Sequence, residues 1–170
     1  MKYARIFISI FIISFFYNIP VYSSDKVAFV DMDYLIKNSI IGKETLNKIE
    51  KFNIKNIEKL KEKEKILKNL DNEIKKKQNI ISENEFNKEV NLLKNKITEF
   101  KNEKNKMVSE FKNFKNKELD LLFKKINPII QNYMDKNSIE ILLDRKNIFI
   151  GSINSDLTEI LINEINKDSN

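Results

Sequence analysis

Residues 82–114 read SENEFNKEVNLLKNKITEFKNEKNKMVSEFKNF. Within them Phe86, Val90, Leu93, Ile97, Phe100, Lys104, Met107, Phe111 and Phe114 follow in alternating steps of four and three, and eight of the nine are apolar. A repeat averaging 3.5 residues keeps one stripe of an α-helix facing a partner helix, which makes this stretch a coiled-coil seam. Its first residues form a helix start. Ser82 and Glu85 have capping-box spacing, with Ile81 and Phe86 at the hydrophobic-staple positions. Just upstream, Lys75, Lys76 and Lys77 suit the C-terminal end of an earlier helix, where cations meet the negative end of the dipole.

Working outward, residues 43–127 contain neither Gly nor Pro. One continuous helix of that length would reach ~128 Å, whereas a chain folded at the cap gives two arms of about 60 Å. The cap lies near the midpoint, so a helical hairpin is expected over 43–127 with its tip near 79–84. The first arm carries a weaker seam. One row holds Leu46, Asn53, Leu60, Leu67, Ile74 and Ile81, and its companion holds Ile49, Asn56, Lys63, Leu70 and Lys77. Seams of unequal quality suit an antiparallel pair better than a symmetric parallel zipper. Asn53, Asn56, Lys63 and Lys77 are expected to loosen the pairing and let the tips splay. Phe52, Ile54, Ile57 and Ile66 fall outside both rows. Two readings stand for them: a wider packing face, or an adhesive surface for an unfolded client.

The ends of the chain form a second unit, 24–42 with 128–170. Lys26 to Met32 reads as a strand, rich in β-branched and aromatic residues. Ile139 to Leu143 and Ile148 to Ile150 read as two further short strands, with Asp144 to Asn147 as the turn between them. Ser155 or Asp156 is placed to cap a last helix carrying Leu157, Ile160, Leu161 and Ile165. A head of some sixty residues buries little apolar surface alone, and its strand edges invite partners. Self-association is therefore expected. Val27, Phe29, Leu142 and Phe149 from the strands, with Ile126 and Ile130 from the re-entering helix, are the residues expected to carry it.

Composition narrows the chemistry. The 170 residues include no His and no Cys, and only two Gly. Imidazole bases, thiolate nucleophiles, ordinary zinc sites and disulfides are excluded, as are Gly-rich phosphate loops. Asp31 and Asp33 lie two apart near a strand end but have no further acidic cluster beside them. They read as solvent-facing residues, and no catalytic, cofactor or metal site is expected. Charge is segregated along the chain. Residues 43–127 hold 23 Lys against 15 acids, whereas the rest of 24–170 holds 6 basic and 10 acidic residues. Two readings stand for the basic arms: a solvated helix face, or a surface that attracts acidic clients, lipid headgroups or anionic glycolipid. No aromatic-basic platform or DNA-binding motif accompanies them, so nucleic acid is not an expected partner.

Residues 1–23 read as a secretory signal. Lys2 and Arg5 precede the apolar run Ile6 to Phe16, Pro20 breaks it, and Val21 and Ser23 suit the −3 and −1 cleavage positions. Eleven residues rise only ~16 Å as a helix, short of a ~30 Å hydrocarbon core. Cleavage after about Ser23 and export from the cytosol are expected, with an uncleaved signal anchor as the alternative.

The termini then resemble a known family. Val30-Asp31-Met32, Leu35, Ser39 and Gly42-Lys43 at one end, and Ile141-Leu142-Leu143-Asp144 with Asp156-Leu157-Thr158 at the other, are similar to the opening and close of the Skp/OmpH family of periplasmic chaperones. The helical hairpin lies between them in the order of that family. The resemblance implies a mainly α protein with a small β head, in which three heads form a barrel and three hairpin arms surround a cavity. It implies an ATP-independent holdase for unfolded outer-membrane β-barrel proteins, acting as a homotrimer and not as an enzyme. A tethering coiled coil, or a binder of lipopolysaccharide or other anionic lipid through the basic arms, are the alternative readings.

Overall fold

The computed structural model describes residues 26–168; the expected signal segment and its cleavage site lie outside them. Strand β1 (Lys26–Val30) leads into the short helix α1 (Met32–Asn38) and then the long helix α2 (Ile40–Lys77). A turn over 78–82 reverses the chain into α3 (Glu83–Lys136), followed by β2 (Ile139–Asp144), two 3-10 turns and α4 (Thr158–Asp168). The fold is thus mainly helical with one small strand pair.

Each helix start has a chemical reason. Asp31 caps α1 by accepting from the Tyr34 N–H, and Ser39 caps α2 by accepting from the Gly42 N–H. At the far end, Ser82 Oγ accepts from the Glu85 N–H at 3.3 Å, and Glu85 Oε2 accepts from the Ser82 N–H at 3.2 Å. Both halves of the capping box are therefore made, and hydrogen bonds donated to the Glu85 carboxylate by the Ser82 hydroxyl, at 2.8 Å, and by the Ser82 N–H hold it below its ordinary range. The helix that follows passes through Pro128 instead of ending there.

β1 and β2 pair in parallel, with Val27 opposite Ile141, Ala28 opposite Leu142 and Phe29 opposite Leu143. The whole hairpin serves as the crossover between them. One sheet face sets Ala28, Val30 and Leu142 onto a core completed by Leu35, Leu122, Ile126, Ile130, Leu161, Ile162 and Ile165. Ile126 and Ile130, expected to serve association, are buried in the chain's own core. Ile162 replaces Ile160 in the buried stripe of α4, and Ile160 is exposed.

The expected strand at 148–150 does not form. Arg145–Asn147 is a 3-10 turn, and Phe149 beyond it is 98% exposed. A strand needs an edge to pair with, and among the described residues this run meets none. Its loop is nonetheless anchored. Gly151 passes so close to the Phe29 ring that a Cβ there would lie 2.8 Å from Cε1.

Candidate functional site

Two surfaces stand out, one on the arm and one on the head. Along the arm, α2 and α3 pack antiparallel through the seams set by their heptads. Ile49, Ile74, Leu93 and Met107 are buried there. The lysines that interrupt the first seam are ion-paired: Lys63 with Glu103, and Lys77 with Glu89 at 2.8 Å. They therefore fix register as well as interrupting packing. The Glu89 carboxylate holds Lys77 above its ordinary range. Lys104, expected in the seam, is exposed, and Glu103 beside it takes the half-buried place.

Phe52, one of the four off-seam residues, stacks on Phe114 with ring centroids 4.3 Å apart and on Phe111 at 6.5 Å. It is half-buried and belongs to the arm's own packing. Ile54, Ile57 and Ile66 are exposed, at 46%, 41% and 58%. They do not share one face. Ile66 sits beside Lys96, Glu99 and Glu103, whereas heptad position places Ile54 and Ile57 along the other edge of the seam. Exposed Val108 of α3 was not singled out by sequence reasoning, because a lone apolar residue off the seam carries no signal until the register is known.

On the head, the outer sheet face presents Val27, Ile141 and Leu143, all exposed. Phe149, Ile150 and Ile153 extend this apolar surface along the following loop. Phe29 shares the face but is covered by that loop, and Leu142 turns to the core. Only Val27 and Phe149 among the six expected association residues are therefore free to meet another chain in this protomer. Ile150, Ile153, Ile141 and Leu143 join them. Alternation along β2 was the signal for the last two.

A polar latch holds the loop and the start of α4 against β1. The Asp31 N–H donates to Thr158 Oγ1 at 2.9 Å, and Thr158 donates through its hydroxyl and its N–H to Asp156 Oδ1 at 2.5 and 3.0 Å. Arg145 pairs with the same Asp156 carboxylate at 3.3 Å, and the Leu157 N–H donates to the Phe29 carbonyl at 2.9 Å. Nearby, a hydrogen bond from Lys146 and its charge hold the Asp33 carboxyl below its ordinary range. Asp31 and Asp33 thus act in capping and ion pairing. Among the described residues no cluster of three or more metal-ligating side chains occurs, and no helix is long and apolar enough to cross a membrane.

The architecture has known counterparts. A crystal structure from Caulobacter crescentus, described as an outer membrane chaperone (OmpH-like), superposes with a TM-score of 0.75 at 16% identity, covering 86% of each chain. At that identity the likeness is one of fold. A search of curated proteins finds no match. The model of the family "Outer membrane protein (OmpH-like)" matches residues 26–165, the full run from β1 into α4. The chain belongs to the OmpH-like outer membrane protein family.

Proposed function

We propose that this protein is an ATP-independent periplasmic holdase that keeps unfolded outer-membrane β-barrel proteins from aggregating. Family membership supports a chaperone role, a periplasmic setting and outer-membrane proteins as clients; the family is not one of enzymes. The observation that carries the mechanism is the pairing of one long arm with one sticky head. Helix α2 alone spans 38 residues, a reach of about 57 Å, while the head leaves an apolar sheet face and Phe149 uncovered.

In this reading three heads associate through that face. The run 148–150 gains in a neighbouring protomer the strand edge it lacks in its own chain. The three arms then enclose a space in which a client segment is held by many weak contacts. Exposed isoleucines of the arms, Ile54 and Ile57 among them, supply apolar contact, and the lysine surplus attracts net-negative clients. Release needs no nucleotide because each contact is individually weak.

The test uses the chain from residue 24 onward. Its mass in solution is expected to be that of a trimer, and stoichiometric amounts are expected to suppress light scattering when a β-barrel protein is diluted from urea. Phe149→Asp is expected to yield monomers that keep their helical content and lose the suppression. A folded wild-type trimer that leaves aggregation unchanged would sink the proposal.

A further inference from the structure

The two edges of the arm are chemically different. Lys77 faces Glu89, Lys63 faces Glu103 and Phe52 faces Phe114, an antiparallel register that is constant along the arm. Continued, it sets Ile57 level with Ser109, next to Val108. In an antiparallel pair, like heptad positions of the two helices flank the same edge of the seam. Ile57 and Val108 occupy like positions on one edge, with Ile54 one turn away. The result is a two-helix apolar patch midway along the arm, with Val108 61% exposed.

Charge follows the same division. The stripe of α3 bordering this edge runs in steps of four and three from residue 87 to residue 115 and contains no carboxylate, while Lys94, Lys101, Lys112 and Lys115 lie on it. All five acids between 85 and 115 fall on the opposite stripe. Helix α2 adds Glu50, Glu64 and Asp71 to the basic edge; Glu50 lies one turn from Ile54, while Lys61 lies one turn from Ile57 and Lys112 one turn from Val108. The other edge carries the Lys63–Glu103 and Lys77–Glu89 pairs and only isolated exposed apolar residues, Ile66 and Leu92.

We infer that the edge bearing Ile54, Ile57 and Val108 is the client-contact face of the arm, and that its occupant is an extended, unfolded segment carrying apolar side chains beside carboxylates. The inference rests on the holdase reading and assigns a side to it. Area decides against a second copy of the chain as occupant. The three side chains expose on the order of 250 Å², far below the ~800 Å² per partner that a stable interface buries. A patch of that size makes a transient contact, which suits a holdase. Lysines around it draw in acidic segments without locking them, because their long side chains remain solvated.

The experiment places a photo-crosslinking amino acid singly at positions 57, 108, 66 and 92 of the mature protein, with a urea-unfolded outer-membrane β-barrel protein as probe. Client adducts from 57 and 108 are expected to exceed those from 66 and 92 at least fivefold. In parallel, Ile57→Ser with Val108→Ser is expected to weaken client affinity about tenfold, an amount consistent with losing two partly buried aliphatic side chains. Ile66→Ser with Leu92→Ser is expected to stay within twofold of wild type, and circular dichroism checks that both pairs keep their helices. Equal adducts from both edges, or a loss confined to the second pair, overturn the assignment of the edge and leave the holdase reading standing. Wild-type protein that holds no client overturns both. Vesicles containing phosphatidylglycerol supply the other arm: if the first pair loses vesicle binding but keeps client affinity, the edge is a lipid surface and the inference fails.

Discussion

Replacing Asn56 by Leu is expected to stabilise the arm, and the reason lies in a single atom. Asn56 occupies a seam position of α2, and its Nδ2 is buried without a hydrogen-bond partner. By the register of the arm it lies between the levels of Met107 and Phe111, one turn beyond the stacked Phe52. A buried donor left unmade costs about 1–3 kcal/mol, and an added leucine side chain in a half-buried site contributes ~1 kcal/mol more. Repacking against Phe111 offsets part of this, leaving a net gain of about 2 kcal/mol. For a chain of this length that corresponds to a rise in melting temperature of roughly 4–8 °C. Thermal melts followed at 222 nm, at fixed protein concentration because assembly is linked to stability, measure the shift. Hydrogen exchange adds the location, with slower exchange expected for amides on either side of residue 56. If the protein acts as the proposed holdase and the loosened seam lets its arm adapt, the same variant is expected to hold a narrower range of client sizes. An unchanged or lower melting temperature, with exchange around residue 56 also unchanged, would refute the reasoning.

Three further outcomes follow from the head. Gly42→Ala puts a Cβ 2.0 Å from the Ile36 carbonyl oxygen and 2.6 Å from Ser39 Oγ. Backbone cannot swing aside there, so a loss of ~3 kcal/mol is expected in urea denaturation, and a variant within 0.5 kcal/mol of wild type would contradict the close packing. Thr158→Val strands the Asp31 N–H beneath a methyl group; a loss of about 1–3 kcal/mol is expected, with exchange of that amide accelerated. Asp33 is held below its ordinary range by Lys146, so its folded pKa lies under the unfolded one. Its contribution to stability is full above the unfolded value and fades as pH falls through the folded one; carboxyl NMR titration is expected to show the Asp33 pKa moved upward in Lys146→Ala, with Lys37 still acting on it.

The arm was legible because its information is local. A 4-3 repeat and a capping box each act over one or two helical turns, so residues 82–114 announce a seam and its start without reference to anything distant. The first arm was harder to read because its polar interruptions take meaning only from the partner helix. Lys63 and Lys77 look like defects in sequence and are ion-paired once Glu103 and Glu89 stand opposite. Phe52 similarly looks surplus until Phe114 lies against it. Val108 needed both things at once, the register and the sidedness of the charges, and the acid-free stripe of α3 was the clue that sequence did contain. The head was least legible. Its strands pair across the entire hairpin, Lys26–Val30 with Ile139–Asp144, and no local pattern encodes a parallel register at that separation. The run 148–150 has strand composition and no strand, since β-propensity expresses a fit to neighbours and this run pairs with none among the described residues.

Where the arm can move follows from how it enters the head. Leu122, Ile126 and Ile130 belong to α3 itself and are also the centre of the head core, packed against Leu35, Leu161 and Ile165. The arm helix is therefore not hinged onto the head; it runs through it. Pro128 removes one helical hydrogen bond at this point, by denying the Lys124 carbonyl its donor. Yet the residues on either side of it, Ile126 and Ile130, are both buried, so the weakened turn is clamped by packing. At the other end of the arm the capping box is complete and Lys77 is tied to Glu89 across the tip. Base and tip are both secured. What lies between is the stretch from Asn53 to Lys63, where two asparagines replace seam hydrophobes and one amide has no partner. A change in the position of the tip relative to the head is expected to draw on that stretch, where a buried seam amide goes unpaired; faster amide exchange at 53–63 than at the base and tip is the measurement that checks it. The Ile54–Ile57–Val108 patch lies in that same layer, so a client bound at the patch would touch the arm beside its unpaired seam amide.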